Sequence, residues 1–116
     1  MPDNSSLVAL TRDALLLFEH GAPSFQILSH LDTLIAALME PNFKNYLNDF
    51  RTKATIAQDS ELYWHHYMCA VFSIEELQSR VHQSRDIYAL KPTVALLYAA
   101  LEVMEREQAD LTMVPI

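Results

Sequence analysis

Apolar residues recur every three or four positions along this chain, the spacing that places side chains on one face of an α-helix. Leu7, Leu10, Ala14 and Leu17, joined by Leu15 and Phe18, trace the first stripe. Ser5 or Ser6 precedes it as an N-cap, and Gly21 follows it as the C′ residue. Pro23 and Ser24 open a second helix with the stripe Ile27, Leu28, Leu31, Leu34, Ile35 and Leu38. Pro41 disfavours helical geometry at Glu40 and ends that helix. Asn42 is the expected cap of a third helix, with Phe43, Tyr46, Leu47, Phe50, Ala54 and Ala57 inward and Lys44, Asn48, Arg51 and Thr55 outward. Gln58-Asp59-Ser60 is expected to break the chain, with Asp59 or Ser60 capping the next helix.

Residues 60–90 contain no glycine or proline, and two signals conflict within them. Tyr63, Tyr67, Ala70, Ile74, Leu77, Val81 and Tyr88 hold one helical phase, which favours a single long helix. Ser73-Ile74-Glu75-Glu76 is a capping box flanked by Phe72 and Leu77 as a hydrophobic staple, which favours a kink or restart at Ser73. Box and staple together are the more specific signal, so a restart is expected. Lys91-Pro92-Thr93 opens the final helix, with Val94, Leu97, Tyr98, Leu101 and Met104 inward and a Glu102–Arg106 pair outward. The apolar tail at residues 111–116 is expected either to pack back or to be mobile. The pattern predicts one all-α domain over residues 1–116: a compact antiparallel bundle of five helices, or six with the restart.

Composition narrows the function. Gly21 is the only glycine, so phosphate-binding loops, dinucleotide fingerprints and nucleophile elbows have no sequence to form from. Apolar residues make up 51% of the chain with glycine excluded. Soluble domains typically reach about 45–50% with glycine included, so some apolar surface is left for a partner or a second copy. The net charge is −7, from 8 basic and 15 acidic residues. It is concentrated at the ends: residues 1–40 carry five acids against Arg12, residues 41–91 carry six of each sign, and residues 92–116 carry four acids against Arg106. Nucleic-acid binding needs a basic footprint and is not expected. The second helix has no lysine or arginine, so a helix-turn-helix at Gly21 fails on composition. The longest strictly apolar run, residues 94–101, is too short to span a membrane. A single cysteine, Cys69, and no signal-like start suggest a cytoplasmic location.

The densest chemistry lies in residues 61–72. Glu61, His65 and Cys69 fall at i,i+4 intervals and make a candidate metal or thiol site, with His66 three residues from Cys69. One helix supplies all of these ligands, no E-x-x-H or H-E-x-x-H motif is present, and no second cysteine exists, so no cofactor is expected. Around the helix, Tyr63, Trp64, Tyr67, Ala70, Val71 and Ile74 crowd one side. Leu62, Cys69 and Phe72, flanked by His65 and His66, form a second stripe. A helix apolar on two sides is either central in its bundle or shared with a partner. His82 lies between Arg80 and Arg85 in a small basic patch that reads as a solvated face. His20 and His30 stand apart. The expectation is a non-enzymatic protein-interaction module, an adaptor, regulator or chaperone-like mask, that binds another protein or itself. Its contact surface is expected at Leu62, Trp64, His65, His66, Cys69 and Phe72. The alternatives are an immunity- or antitoxin-like inhibitor of a basic protein and an enzyme centred on Glu61, His65 and Cys69.

Overall fold

The computed structural model describes residues 5–56, 60–83 and 85–113. Among them are five α-helices: α1 (Ser5–Glu19), α2 (Ser24–Leu38), α3 (Pro41–Ile56), α4 (Ser60–Arg80) and α5 (Lys91–Met113). A short 3₁₀ helix, Ile87–Leu90, leads into α5, and no strand is present among the described residues. The protein is an all-α antiparallel bundle. It is elongated, 50 × 24 × 23 Å. Helix α5 packs most extensively on α4 and then on α1, α3 packs on α4, and α1 packs on α2.

The glycine performs the role its position implies. Gly21 has φ +68°, the left-handed region. Its N–H donates to the Phe18 carbonyl at 3.2 Å, and the Ala22 N–H donates to the Leu17 carbonyl at 3.0 Å. These are the two bonds of a Schellman motif, and they satisfy carbonyls that α1 would otherwise leave open. Tyr88 locks this turn from the far side of the chain. Its hydroxyl donates to the Ala22 carbonyl at 2.7 Å, and its ring meets Phe18 edge-on at 5.5 Å.

Helix α2 starts at once, with the Pro23 carbonyl accepting from the Gln26 and Ile27 N–H groups. The next helix starts two residues earlier than expected. Pro41 is its first residue, where a missing N–H costs nothing, and the Glu40 carbonyl accepts from Phe43 and Lys44. Asn42 is therefore inside α3 rather than its cap. The expected break at residues 58–60 falls largely on residues 57–59, which lie outside the described residues.

The restart at Ser73 does not occur. Helix α4 runs unbroken for 21 residues. Ser73 is buried, and its hydroxyl donates to the Cys69 carbonyl at 2.7 Å, one turn back in the same helix. The staple is absent too, since Leu77 is fully buried while Phe72 points to solvent. The chain instead turns after Arg80. Val81 is still buried, and the Gln83 N–H bonds the Arg80 carbonyl. Asp86 then caps the 3₁₀ helix by accepting from the Tyr88 N–H at 3.0 Å. Tyr88 thus belongs to the 3₁₀ helix and not to a continued α4.

One core cluster draws on every helix. Its fully buried members include Ile27, Leu31 and Leu34 of α2, Phe50 of α3, Leu77 of α4, and Val94, Leu97, Leu101 and Met104 of α5. The span Ile87–Glu107 is long and apolar enough by composition to cross a bilayer. Here Val94, Leu97, Leu101 and Met104 are buried where α5 packs on α4 and α1, while Leu96 is exposed. Glu102, expected to pair with Arg106, instead accepts a hydrogen bond from the Tyr98 hydroxyl, which raises the Tyr98 pKa. Helix α5 runs through Met113; the expectation for the tail at residues 111–116 concerns side chains outside the described residues.

Candidate functional site

Helix α4 faces inward through Ala70, Ser73, Ile74 and Leu77, with Tyr63 and Tyr67 packed beside them. This inward arc fixes what the rest of the helix presents. Met68 and Phe72 lie on the opposite side, 53% and 58% exposed, and Leu62, 51% exposed, lies at the edge of the inward arc near the start of the helix. His65 is exposed among them and Cys69 is half-buried at the edge. Exposed apolar side chains thus recur over three turns of this helix.

The sequence-predicted residues divide between this face and its flanks. Trp64 is half-buried on the flank towards α3. Its ring meets Tyr67 edge-on at 5.4 Å, and the Arg51 guanidinium of α3 lies 5.9 Å from its centroid, a cation–π arrangement. His66 is half-buried on the flank towards α5. Burial lowers its pKa and the neighbouring His65 lowers it further, while Glu107 of α5 opposes both. Leu62, His65, Cys69 and Phe72 remain together on or beside the open face. Met68 belongs with them and was not among the predicted contact residues. Its place follows from the wheel, between the angular positions of Trp64 and Phe72.

The candidate metal residues are less well gathered. Cys69 Sγ lies 3.7 Å from His65 Nε2, and the His65 and His66 rings are 5.7 Å apart at 65°. Glu61 is exposed in the first turn. Among the described residues no three His, Cys, Asp or Glu side chains converge as a metal-holding group.

The basic patch is engaged locally. Arg80 pairs with Glu76 at 3.2 Å, and His82 Nε2 lies 3.0 Å from Asp32 Oδ1 of α2. Thr11 and Ser73 are buried, each bonded to a carbonyl one turn back in its own helix. His30 is not isolated: its Nε2 lies 2.9 Å from the Leu10 carbonyl and ties α2 to α1. Comparison with protein-family models, with curated proteins and with solved structures finds no match to this chain.

Proposed function

We propose that this protein is a non-enzymatic interaction module whose contact surface is the outward face of α4. The observation that carries this reading is the exposure of Leu62, Met68 and Phe72 together, beside His65 and Cys69. Burying apolar surface gains about 25 cal/mol per Å², so a partner that covers this face gains free energy the monomer leaves unused. Trp64 and His66 border the face and form its rim. A metal or thiol reaction at Glu61, His65 and Cys69 is the competing proposal, favoured only by the close approach of His65 and Cys69.

Site-specific photo-crosslinking in the native cell tests the proposal. A benzophenone side chain at position 68 or 72 is expected to give a discrete protein adduct. The same group at Leu96, an exposed residue of α5, serves as the control and is expected to give none. An adduct of two chains identifies a homodimer, and a larger or smaller one identifies a different partner. No adduct from α4, or equal adducts from position 96, overturns the proposal.

A further inference from the structure

A second feature lies away from α4. Helices α1 and α2 enclose an open cleft of about 440 Å³, lined by Asp13 and Leu17 of α1 and by Phe25, Gln26, Ser29 and His30 of α2. Phe25 sits in the first turn of α2, off the inward stripe, and is 76% exposed. An aromatic ring left this open inside a cleft is available to a ligand.

The polar groups here include the Asp13 carboxylate, which only accepts, beside Gln26 and Ser29, which can both donate and accept. A carbonyl cannot donate, so the His30–Leu10 bond places the ring proton on Nε2. The Thr33 hydroxyl, also on the cleft wall, spends its proton on the Ser29 carbonyl. Asp13 contributes a carboxylate, held only loosely by Arg12 at 3.9 Å, with both side chains more than half exposed. The surroundings are acidic. Across residues 5–40 the acids Asp13, Glu19, Asp32 and Glu40 stand against a single base, Arg12. Anions are repelled by this field. A wholly apolar ligand would desolvate Asp13 without pairing it.

A flat cation meets these conditions. A guanidinium stacks on an aromatic face and presents a fork of donors to a carboxylate. We infer that the α1–α2 cleft receives an arginine side chain from a basic segment of a partner protein, stacked on Phe25 and paired with Asp13. This inference stands apart from the α4 surface and can fail without it.

The test is a ¹⁵N-NMR titration of the full chain with the blocked peptide Ala-Ala-Arg-Ala-Ala. The same peptide with citrulline, a neutral isostere of arginine, is the control. Saturable shifts are expected at Asp13, Phe25, Gln26, Ser29 and His30, with none from the citrulline peptide. Asp13→Asn and Phe25→Leu are each expected to weaken binding about two- to fivefold, the range for an exposed ion pair or cation–π contact. Both positions are exposed, and circular dichroism checks that each variant is folded. If Phe25→Leu does not fold, Asp13→Asn decides alone. The inference is overturned by an absence of saturable shifts, by equal binding of the citrulline peptide, or by shifts of equal size at Glu61 and Glu102. Binding of free arginine but not of the peptide overturns it too, since the cleft would then serve a small cation.

Discussion

Replacing Phe72 with aspartate separates a contact residue from a core residue, and the structure supplies both sides of the comparison. Phe72 is 58% exposed, so about two-fifths of its side chain is covered. Full burial of a phenylalanine contributes about 1.5–3 kcal/mol, so the covered part contributes about 0.6–1.3 kcal/mol. A carboxylate at this position also faces Glu75 and Glu76 at i+3 and i+4, at a cost of about 0.2–0.5 kcal/mol each. The Arg80–Glu76 pair softens the second of these. The total is about 1–2 kcal/mol, against a net stability of about 5–15 kcal/mol for a domain of this kind. Leu77, five residues on, is fully buried. Leu77→Asp loses the whole transfer term and strands a carboxylate in the core, at a cost of several kcal/mol more. Urea denaturation followed by circular dichroism is the assay. Phe72→Asp is expected to stay helical in buffer, with its midpoint lowered by about 1 M for a typical urea slope of about 1–3 kcal/mol per M. Leu77→Asp is expected to be unfolded without denaturant. If Phe72→Asp unfolds as Leu77→Asp does, Phe72 is part of the core and the outward face of α4 has been misassigned. If it folds and crosslinks from position 68 as the parent does, the face is not the contact.

Two further outcomes concern the turn and the flank of α4. Gly21→Ala is expected to destabilise by about 1 kcal/mol, because an L side chain in the left-handed region costs about 1–2 kcal/mol and stiffening of the unfolded chain returns part of it. A Cβ there meets nothing within 4 Å, so the effect is purely one of backbone. A D-alanine introduced by chemical ligation should therefore stabilise, and thermal melts showing both variants shifted the same way would refute the assignment. His66 makes stability depend on pH. Burial and His65 push its folded pKa below the ordinary value of 6.5, so between the two values the unfolded chain binds more protons. Stability is full above about pH 6.5 and falls as the pH drops through the lowered value. His66→Gln should flatten this slope in urea midpoints measured across that window, and an unchanged slope would mean that His66 is not the group responsible.

The parts of the fold legible in the sequence are those set by local chemistry. Among the described residues Gly21 alone takes a positive φ, and its surroundings announce a helix end and a helix start within four positions. The stripes of α1, α2 and α3 hold among the described residues, because each of these helices buries a single face; Ala57, expected in the third stripe, lies outside the described residues. Thr11 is the exception: a polar residue in the α1 core, made acceptable by its bond to Leu7. The box at Ser73 misled for a physical reason. The same hydroxyl that can cap a helix can also bond a carbonyl one turn back, and burial between helices selects the second. The end of α4 was hidden because Val81 and Tyr88 keep helical phase by coincidence while the backbone turns between them. The polar run before Asp86, and Asp86 itself as a cap, were the available signal.

At the candidate site the wheel identified two apolar arcs on α4 but could not assign them. Which arc faces inward is decided by α3 and α5, which meet α4 from elsewhere in the sequence. That packing places Trp64 beside Arg51 and His66 beside Glu107 while leaving Leu62 and Phe72 outside. The cleft at Phe25 was not visible at all, since one aromatic off a helix stripe carries no signal until its neighbour is in place.

Helix α5 has a consequence in time as well as in space. It fills the gap between α1 and α4, so a nascent chain that has exposed only the first four helices cannot close its core. Leu7, Ala14 and Phe18 on one side, and Ala70, Ile74 and Leu77 on the other, stay without their final covering while residues 91–113 are still in the ribosomal tunnel. Translation at about 5–20 residues per second sets how long that exposure lasts. Through that interval the inward apolar faces remain uncovered. Once α5 docks, the choice is made: one apolar arc of α4 is sealed, and the other is left facing out.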